Sequence, residues 1–514
     1  MTFKAKTISD RIIVMILFAV VLTKSAFSSR LGFSLIDEGE YLHNALRILN
    51  GEIPYRDFFS YQPPLYNYWN ILAFKIFGQE VYSPRLLNSI VFAVAVVLFY
   101  LIARRFSSKL ASFAVSVSFA LMELSMERLY YYVFVFLGLL TFFKYFRVDD
   151  RKLLISGMLL GVVSLFRFDV GLLYLLGLCA GLLFGGLSFD RASIAIKIKR
   201  MTYLWAGYLV PVFFGAFWMS VSETLETFIK TQIATPLQIT SYNSLPIPRL
   251  WEVLPRSIAP RSLFHSYETA VFYFFVMVFI VVGVRTAKSW KDVWKHTPEV
   301  IFLFIISTLM LPYMLGRSDL GHIVKASVPT FLLLSYLITA LKGHSWKLAL
   351  CVFVLGMVVV GTLQVMWSDN FYNTKVATKN GIIRLNEHWP EGSVLVSANT
   401  VSRTLLFVED GTDEDETVFF APYMPGMYFL ADQPSNTYVG NILHTYLTDE
   451  IAFIDTLDEL NVEVVVYDPE GGPVNEDGPM KLRSYYPNLH KYIVDNYTTI
   501  ETTPEGWQLM KKNL

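Results

Sequence analysis

The chain has 514 residues, 54% of them hydrophobic and 17% charged, and its 43 basic side chains balance 43 acidic ones. A soluble protein carries about 25% charged residues, so this composition, with a mean hydropathy of +0.44, excludes a soluble globular protein and points to a polytopic membrane protein. Zero net charge leaves no electrostatic footprint for nucleic acid.

The first apolar run, 11–28, is long enough to cross a bilayer, which takes about 17–25 residues. Ser25-Ala26-Phe27 near its end also fits a signal-peptide cleavage site, but cleavage would leave the next loop without its anchor. That loop, 30–84, is acidic at its start, with Asp37, Glu38 and Glu40. Carboxylates where a membrane meets water are costly unless they work. The pattern predicts a helix over Asp37–Leu49. Leu42, Ala45, Leu46 and Leu49 make an apolar stripe, and Glu40, His43 and Arg47 a polar side. Asn50-Gly51 ends it and Pro54 follows as a stop. Asp37 and Glu38 stand at the helix start, where the dipole favours an ionised carboxylate. The bland reading makes Asp37 the N-cap, with Glu40 closing a capping box; it is compatible with a catalytic one. A second segment, 63–77, carries Tyr66, Tyr68, Trp69, Phe74 and Phe77 and reads as lying along the interface.

Ten more apolar runs follow, at 85–103, 108–125, 129–146, 152–166, 170–187, 201–220, 268–284, 299–315, 325–341 and 347–367. The 152–166 and 170–187 pair also reads as one re-entrant hairpin. Lys and Arg recur in every second loop, from Lys4, Lys6 and Arg11 through Arg104, Arg147, Arg191 and Arg285 to Lys342. This places the N-terminus in the cytoplasm and the loops 30–84, 221–267 and 316–324, with the tail after 367, outside.

Several polar turns carry two readings. Gly316-Arg317-Ser318-Asp319-Leu320-Gly321-His322 is either a solvated turn with Arg317 and Asp319 paired, or a contact to donor phosphate or sugar through Arg317 and His322. Arg167 and Asp169 read first as an ion pair within the bundle, and second as a substrate contact. Glu123, Glu127 and Arg128 read as interface anchors. Lys230, Arg249, Arg256, Arg261 and His265 lie in the loop 221–267, where a substrate contact is the lesser reading. Cys179 and Cys351 sit inside apolar runs and suggest neither a disulfide nor a metal site.

After 367 the charge rises and the apolar runs shorten. Residues 393–397 and 462–467 read as buried strands and 449–460 as an amphipathic helix. The acidic run 409–416 lacks the ligand spacing of an EF-hand loop and reads as solvated. The chain has no fixed-period repeat, no low-complexity tract and no phosphate-binding glycine loop.

The acid pair Asp37-Glu38, the segment Gly51-x-x-Pro54-Tyr55-Arg56-Asp57-Phe58, then Pro63-Pro64-Leu65-Tyr66 and Arg85 before the second span together resemble the polyprenyl-phosphate-sugar-dependent GT-C glycosyltransferases. The closest groups are the protein mannosyltransferases and the lipid A aminoarabinose transferases. The match covers the first hundred residues, and the layout of many spans followed by an external tail agrees. The resemblance implies a polytopic α-helical membrane protein, GT-C-like with about 11 transmembrane helices, and a small C-terminal extracytoplasmic α/β domain. Residues 1–367 form the catalytic membrane domain, with 30–84 as its external loop, and 368–514 the α/β domain. It also implies a plasma (inner) membrane enzyme that takes one sugar from a polyprenyl-phosphate carrier and passes it to a lipid, glycan or protein acceptor on the external face. Asp37 then falls in the position of the general base, with Glu38 as its paired acid. Arg56, Asp57, Gln62, Arg85, Arg317, Asp319 and His322 are the candidate substrate contacts. Aminoarabinose transferases carry Lys before the Pro-Pro pair; Gln62 stands there, and a neutral amide cannot offset a phosphate, so another cation must.

The chemistry suits these residues. An attacking hydroxyl loses its proton to a carboxylate in reach. The leaving phosphate is a weak base that needs cations rather than an acid, and arginine binds phosphate in bidentate fashion. One base and in-line attack predict inversion. No residue set specifies a metal, although a divalent cation is compatible with the reaction. Competing readings are a transporter or flippase of lipid-linked sugars and a polysaccharide polymerase or ligase. Transporters show inverted repeats and midplane broken helices, whereas here the polar residues gather at one face. A polymerase favours a long late external loop, whereas here loop one is the largest polar investment.

Overall fold

The computed structural model describes residues 8–29, 31–122, 130–186, 190–232, 245–257, 260–341, 343–369, 372–387, 396–412, 416–442, 449–471, 474–475, 478–479 and 481–513. Glu123, Glu127 and Arg128 lie outside them, as do 393–395 of one expected strand and 413–415 of the acidic run. In chain order the first helices are α1 (Ile8–Ser28), α2 (Asp37–Leu49), α3 (Pro64–Phe77), α4 (Tyr82–Ala103), α5 (Lys109–Met122) and α6 (Tyr132–Tyr145). Next come α7 (Leu153–Phe166), α8 (Phe168–Phe184) and α9 (Arg191–Val221), then α10, described over 225–232. The helices α11 (Pro260–Lys288), α12 (Trp290–His296), α13 (Pro298–Gly316), α14 (Leu320–Ala340) and α15 (His344–Asp369) follow. A helix occupies every apolar run expected to cross the membrane. Among the described residues, six helices are long and apolar enough to span one by length and composition: Ser9–Ser28, Tyr82–Ala103, Arg191–Val221, Ser262–Lys288, Pro298–Gly316 and Leu320–Ala340.

The chain divides into two compact units. Unit 1 comprises Met1–Ala26, Asn88–Ala216 and Leu245–Met366. Its core is aromatic: the Phe99 and Phe119 rings stack at 4.7 Å, and Phe136 and Phe331 meet Phe119 edge-on. Two glycines let α7 and α9 touch backbone to backbone. A Cβ on Gly157 would lie 2.1 Å from the Leu204 carbonyl oxygen, and one on Gly207 would lie 2.1 Å from that of Leu154. Close approach through small residues is how helices associate where no water drives them together. Two of its buried acids are paired: Glu299 with Arg105 at 3.0 Å and Asp10 with Arg104 at 3.2 Å.

Unit 2 comprises Phe27–Leu87, Phe217–Ser244 and Trp367–Leu514. Its centre is a four-stranded sheet in the order β3-β4-β8-β7, built from β3 (Val418–Ala421), β4 (Val464–Tyr467), β7 (Tyr497–Thr502) and β8 (Gln508–Lys512). The β3–β4 pair is parallel, with Val418 opposite Val464, and the other pairs are antiparallel. Every residue of β3 and β4 is buried, as all-apolar parallel strands require. Two strand pairs stand apart from this sheet, β1 (Thr374–Thr378) with β2 (Gly381–Leu385) and the short β5 (Val474–Asn475) with β6 (Gly478–Pro479). The expected amphipathic helix is α18 (Glu450–Glu459), capped by Asp449. The strand expected at 393–397 is not continued by its described end. Ser397 instead caps α16 (Ala398–Gly411), its hydroxyl accepting the Thr400 N–H at 3.1 Å, the usual preference of serine for that position.

The start of the chain is built into this unit. Leu42, Ala45 and Leu46 of α2 share one core with Ile71 and Phe74 of α3, and with Val376, Val401, Phe420 and Phe429 of the tail. The α2 helix meets α17 (Gly426–Ala431) at two glycines: a Cβ on Gly39 would lie 2.2 Å from the Gly426 Cα. Only glycine permits that contact.

Candidate active site

Helix α2 begins and ends where its sequence pattern ends, at Asp37 and Leu49, with Asn50 as C-cap and Gly51 at φ +96°. Its start differs from the capping expectation. Ile36 is the N-cap and no side-chain cap bond forms there, so Asp37 is the first helical residue rather than a cap. Asp37 is half-buried and sits in the turn where the dipole favours its anion.

Glu38 is closed onto Arg85. Its two carboxylate oxygens accept Nε and Nη2 of Arg85, both at 2.5 Å. Arg85 also donates to the carbonyls of Ser29 at 2.9 Å, Leu31 at 3.2 Å and Gly32 at 2.9 Å. Five N–H groups thus meet five acceptors, the full donor set of a guanidinium. The pair is nearly buried, with 12% of the Arg85 side chain and 6% of Glu38 exposed.

Arg56 grips its neighbour Asp57 in bidentate fashion, at 2.8 Å through both Nε and Nη2. Asp57 also accepts the Ile53 N–H at 2.7 Å. The hydrogen bond from Arg56 comes first in holding the Asp57 carboxyl below its ordinary range. Gln62 is buried. Its side-chain amide donates to the Tyr41 hydroxyl at 3.2 Å, its backbone carbonyl accepts the Ser60 hydroxyl at 3.2 Å, and the Tyr55 hydroxyl donates to the same backbone carbonyl. Tyr55 itself has φ +69°, a strained turn at the head of the Tyr55-Arg56-Asp57-Phe58 segment.

The polar side of α2 faces the tail. Arg47 donates to Glu52 at 2.8 and 2.5 Å, to the Ser435 hydroxyl at 3.0 Å, and to the carbonyls of Thr437 at 2.8 Å and Asp57 at 3.2 Å. His43 stacks on Tyr428 at 4.9 Å and meets Ser435 through Nε2 at 3.1 Å. Burial, and then the Arg47 charge, hold His43 well below its usual range. Glu40 accepts Nδ2 of the buried Asn441 at 3.0 Å. Burial pushes its carboxyl up to about 7, and the Asn441 bond pulls the other way. Helical spacing and polarity mark Glu40, His43 and Arg47 in the sequence, but nothing there marks Asn441 or Ser435 as their partners.

Unit 1 carries its own polar cluster, at the α13–α14 turn. Arg317 pairs with Asp319 at 2.6 Å, and His322 Nδ1 lies 2.8 Å from Asp319. Asp319 caps α14, its side chain accepting the His322 N–H at 3.0 Å. Burial opposes its ionisation, but His322 and Arg317 outweigh burial and hold Asp319 below the ordinary carboxylate range. The His322 ring stacks on Tyr313 at 5.3 Å. The Tyr313 hydroxyl accepts from Arg167 at 3.1 Å, and Arg167 grips Asp169 at 3.1 and 2.8 Å. Lys325 lies buried one turn beyond His322. The turn is therefore one connected network that joins Arg167 and Asp169 to Arg317, Asp319 and His322.

Among the described residues of the loop 221–267, charged side chains pair within the loop, while Gln232 donates to the Tyr61 carbonyl at 2.8 Å. Lys230 pairs with Glu226 at 2.6 Å, and Arg256 and His265 both pair with Glu252, at 3.6 and 3.5 Å. Among the described residues no group of three or more His, Cys, Asp or Glu is placed to hold a metal ion.

No family model matches the chain, and no curated protein does either. Solved structures do. The chain is similar to ArnT from Cupriavidus metallidurans bound to undecaprenyl phosphate, with a TM-score of 0.58 and 13% identity, over 96% of this chain and 97% of that one. It is also similar to the archaeal oligosaccharyltransferase AglB from Archaeoglobus fulgidus, in complex with an inhibitory peptide and a dolichol-phosphate, with a TM-score of 0.51 and 13% identity, over 96% of this chain and 74% of that one. The fold of this chain is GT-C-like.

Proposed function

We propose that this chain is a multi-pass membrane glycosyltransferase that moves a single sugar from a polyprenyl-phosphate carrier to an acceptor on the external face, with inversion and with Asp37 as general base. The observation that carries this reading is the setting of Asp37. It is the first residue of a helix fixed on two sides, and the fold is shared with a protein solved with undecaprenyl phosphate and another solved with dolichol-phosphate. The acceptor hydroxyl attacks the anomeric carbon, its proton passes to Asp37, and the C–O bond to phosphate breaks with its electron pair on the leaving phosphate. That anion is stabilised by cations, for which Arg56, in the same unit as Asp37, is the proposed donor. Glu38, closed onto Arg85, holds the loop rather than the substrate. The eleven apolar helices all cross the membrane in this reading, with the N-terminus cytoplasmic and unit 2 outside.

Purified protein incubated with a panel of undecaprenyl-phosphate sugars tests the proposal. Release of free undecaprenyl phosphate from at least one donor is expected. No release from any donor, under conditions where the protein remains folded, would sink it.

A further inference from the structure

Glu38 cannot serve as a second working acid, because both of its oxygens are closed onto Arg85. Another carboxyl on α2 meets the geometric requirement. Residues three apart on a helix are neighbours, with Cβ atoms about 5–6 Å apart. Glu40 therefore stands one turn from Asp37 on the same face, whereas Glu38 is turned roughly 100° away. Glu40 is half-buried, and among the described residues no Lys, Arg or His pairs with it. Its partner is an amide, Asn441, 4% exposed, whose own Oδ1 is buried without a partner. An amide so placed suits either state of the acid. Nδ2 donates to the carboxylate, and after a flip Oδ1 accepts from the carboxylic acid. A half-buried carboxyl without a cation is costly, and glutamine would satisfy Asn441 as well.

We propose that Glu40, held by Asn441, is the second acid of the site: its carboxylate strengthens Asp37 as a base. A like charge one turn away raises the proton affinity of Asp37, and a stronger base removes the acceptor proton faster. Glu40 keeps its charge throughout the step and stabilises Asp37 once protonated. It is a positioning residue acting through Asp37, and its role rests on the reading of Asp37 as base.

The surrounding groups leave Glu40 free to set the pH response. On α2, Arg47 is bound to Glu52, and His43 stays neutral near pH 7. On α17, burial pushes Tyr428 above its ordinary range. On α3 the ionisable groups are Tyr66, Tyr68 and Lys75; burial pushes Tyr68 up as well. From the tail, Tyr438 is likewise raised by burial. In the loop between α2 and α3, Asp57 is paired with Arg56.

The test is the pH profile of the initial rate, read as free undecaprenyl phosphate released by full-length protein. The wild-type rate should fall as pH drops through about 7, where Glu40 takes up its proton. Glu40→Gln should lose that limb and run roughly three- to tenfold slower at pH 8. Asn441→Ala removes the bond that favours the carboxylate and should move the limb to higher pH. Glu40→Asp, which keeps the charge, should restore a limb and guards against a folding defect in the glutamine variant. A Glu40→Gln profile that overlays the wild type while Asp37→Asn is inactive overturns the role of Glu40 alone. Full activity in Asp37→Asn overturns the base assignment beneath it.

Discussion

The two polar clusters, around α2 in unit 2 and at the α13–α14 turn in unit 1, use charge in opposite ways. At α2 the arginines are committed to fixed acceptors, Arg85 to Glu38 and three carbonyls and Arg47 to Glu52 and the 435–437 segment, while Glu40 has an amide for a partner. At the turn Asp169 is held by Arg167 and Asp319 by Arg317 and His322, with Lys325 buried beside them, while Glu268 accepts the Leu320 N–H at 3.0 Å. The first arrangement leaves one acid to an amide and suits a proton acceptor; in the second, cations hold two acids and a backbone N–H holds the third. The lesson is that the count of charges in a loop says little until their partners are known.

The sharpest way to break this contrast is Asp37→Asn. Loss of a general base slows reactions by about 10²–10⁴-fold, so carrier release should nearly vanish while thermal melting stays at the wild-type temperature. Second in size is Glu38→Gln. Breaking a nearly buried ion pair costs about 3–5 kcal/mol, so this variant should unfold unit 2 at a distinctly lower temperature; unchanged melting would show that the Glu38–Arg85 pair does not hold the loop.

A third prediction concerns pH. The folded Glu40 carboxyl sits near 7 against an ordinary 4.5, so the folded chain binds its proton more tightly than the unfolded one. That contribution to stability is complete below about pH 4.5 and is lost as pH rises through 7. Glu40→Gln has no proton to lose and keeps the Asn441 bond. It should be more stable than wild type at pH 8, on the order of 1–3 kcal/mol after allowance for its partial exposure, with no difference at pH 4. Equal melting curves at pH 8 would contradict the assigned environment. The smallest effects on stability belong to the exposed Arg56. Arg56→Ala should leave melting unchanged and weaken donor binding roughly tenfold, read by titration with undecaprenyl phosphate.

Much of the fold is legible in the sequence because its signals are local. Apolar run length gives the helices of the bundle, and the bounds of α2 follow from its stripe, Asn50-Gly51 and Pro54. The start of α2 was less legible. Asp37 has the chemistry of a cap, yet Gly39 must reach Gly426 and the helix begins one residue early for capping. Ser397 shows the same limit, since a β-branched neighbourhood hid a capping serine. The partners of the polar face were not legible at all. Ser435 and Asn441 lie 392 and 401 residues from His43 and Glu40, and neither residue type carries a periodic signal. Arg85 was visible as a cation, but backbone carbonyls that absorb a guanidinium leave no trace in side-chain patterns.

The seat of α2 has a temporal consequence. Its glycine contact and the hydrogen-bonding partners of Glu40 and His43 come from residues 426–441, so α2 leaves the ribosome long before that surface exists. At about 5–20 residues per second, synthesis of the intervening chain takes roughly 20–80 seconds. During that interval Gly39, Glu40 and His43 lack those partners, and the seat of α2 is completed only in the last moments of translation. A ribosome stalled before residue 426 therefore yields a chain whose α2 lacks the glycine it packs against.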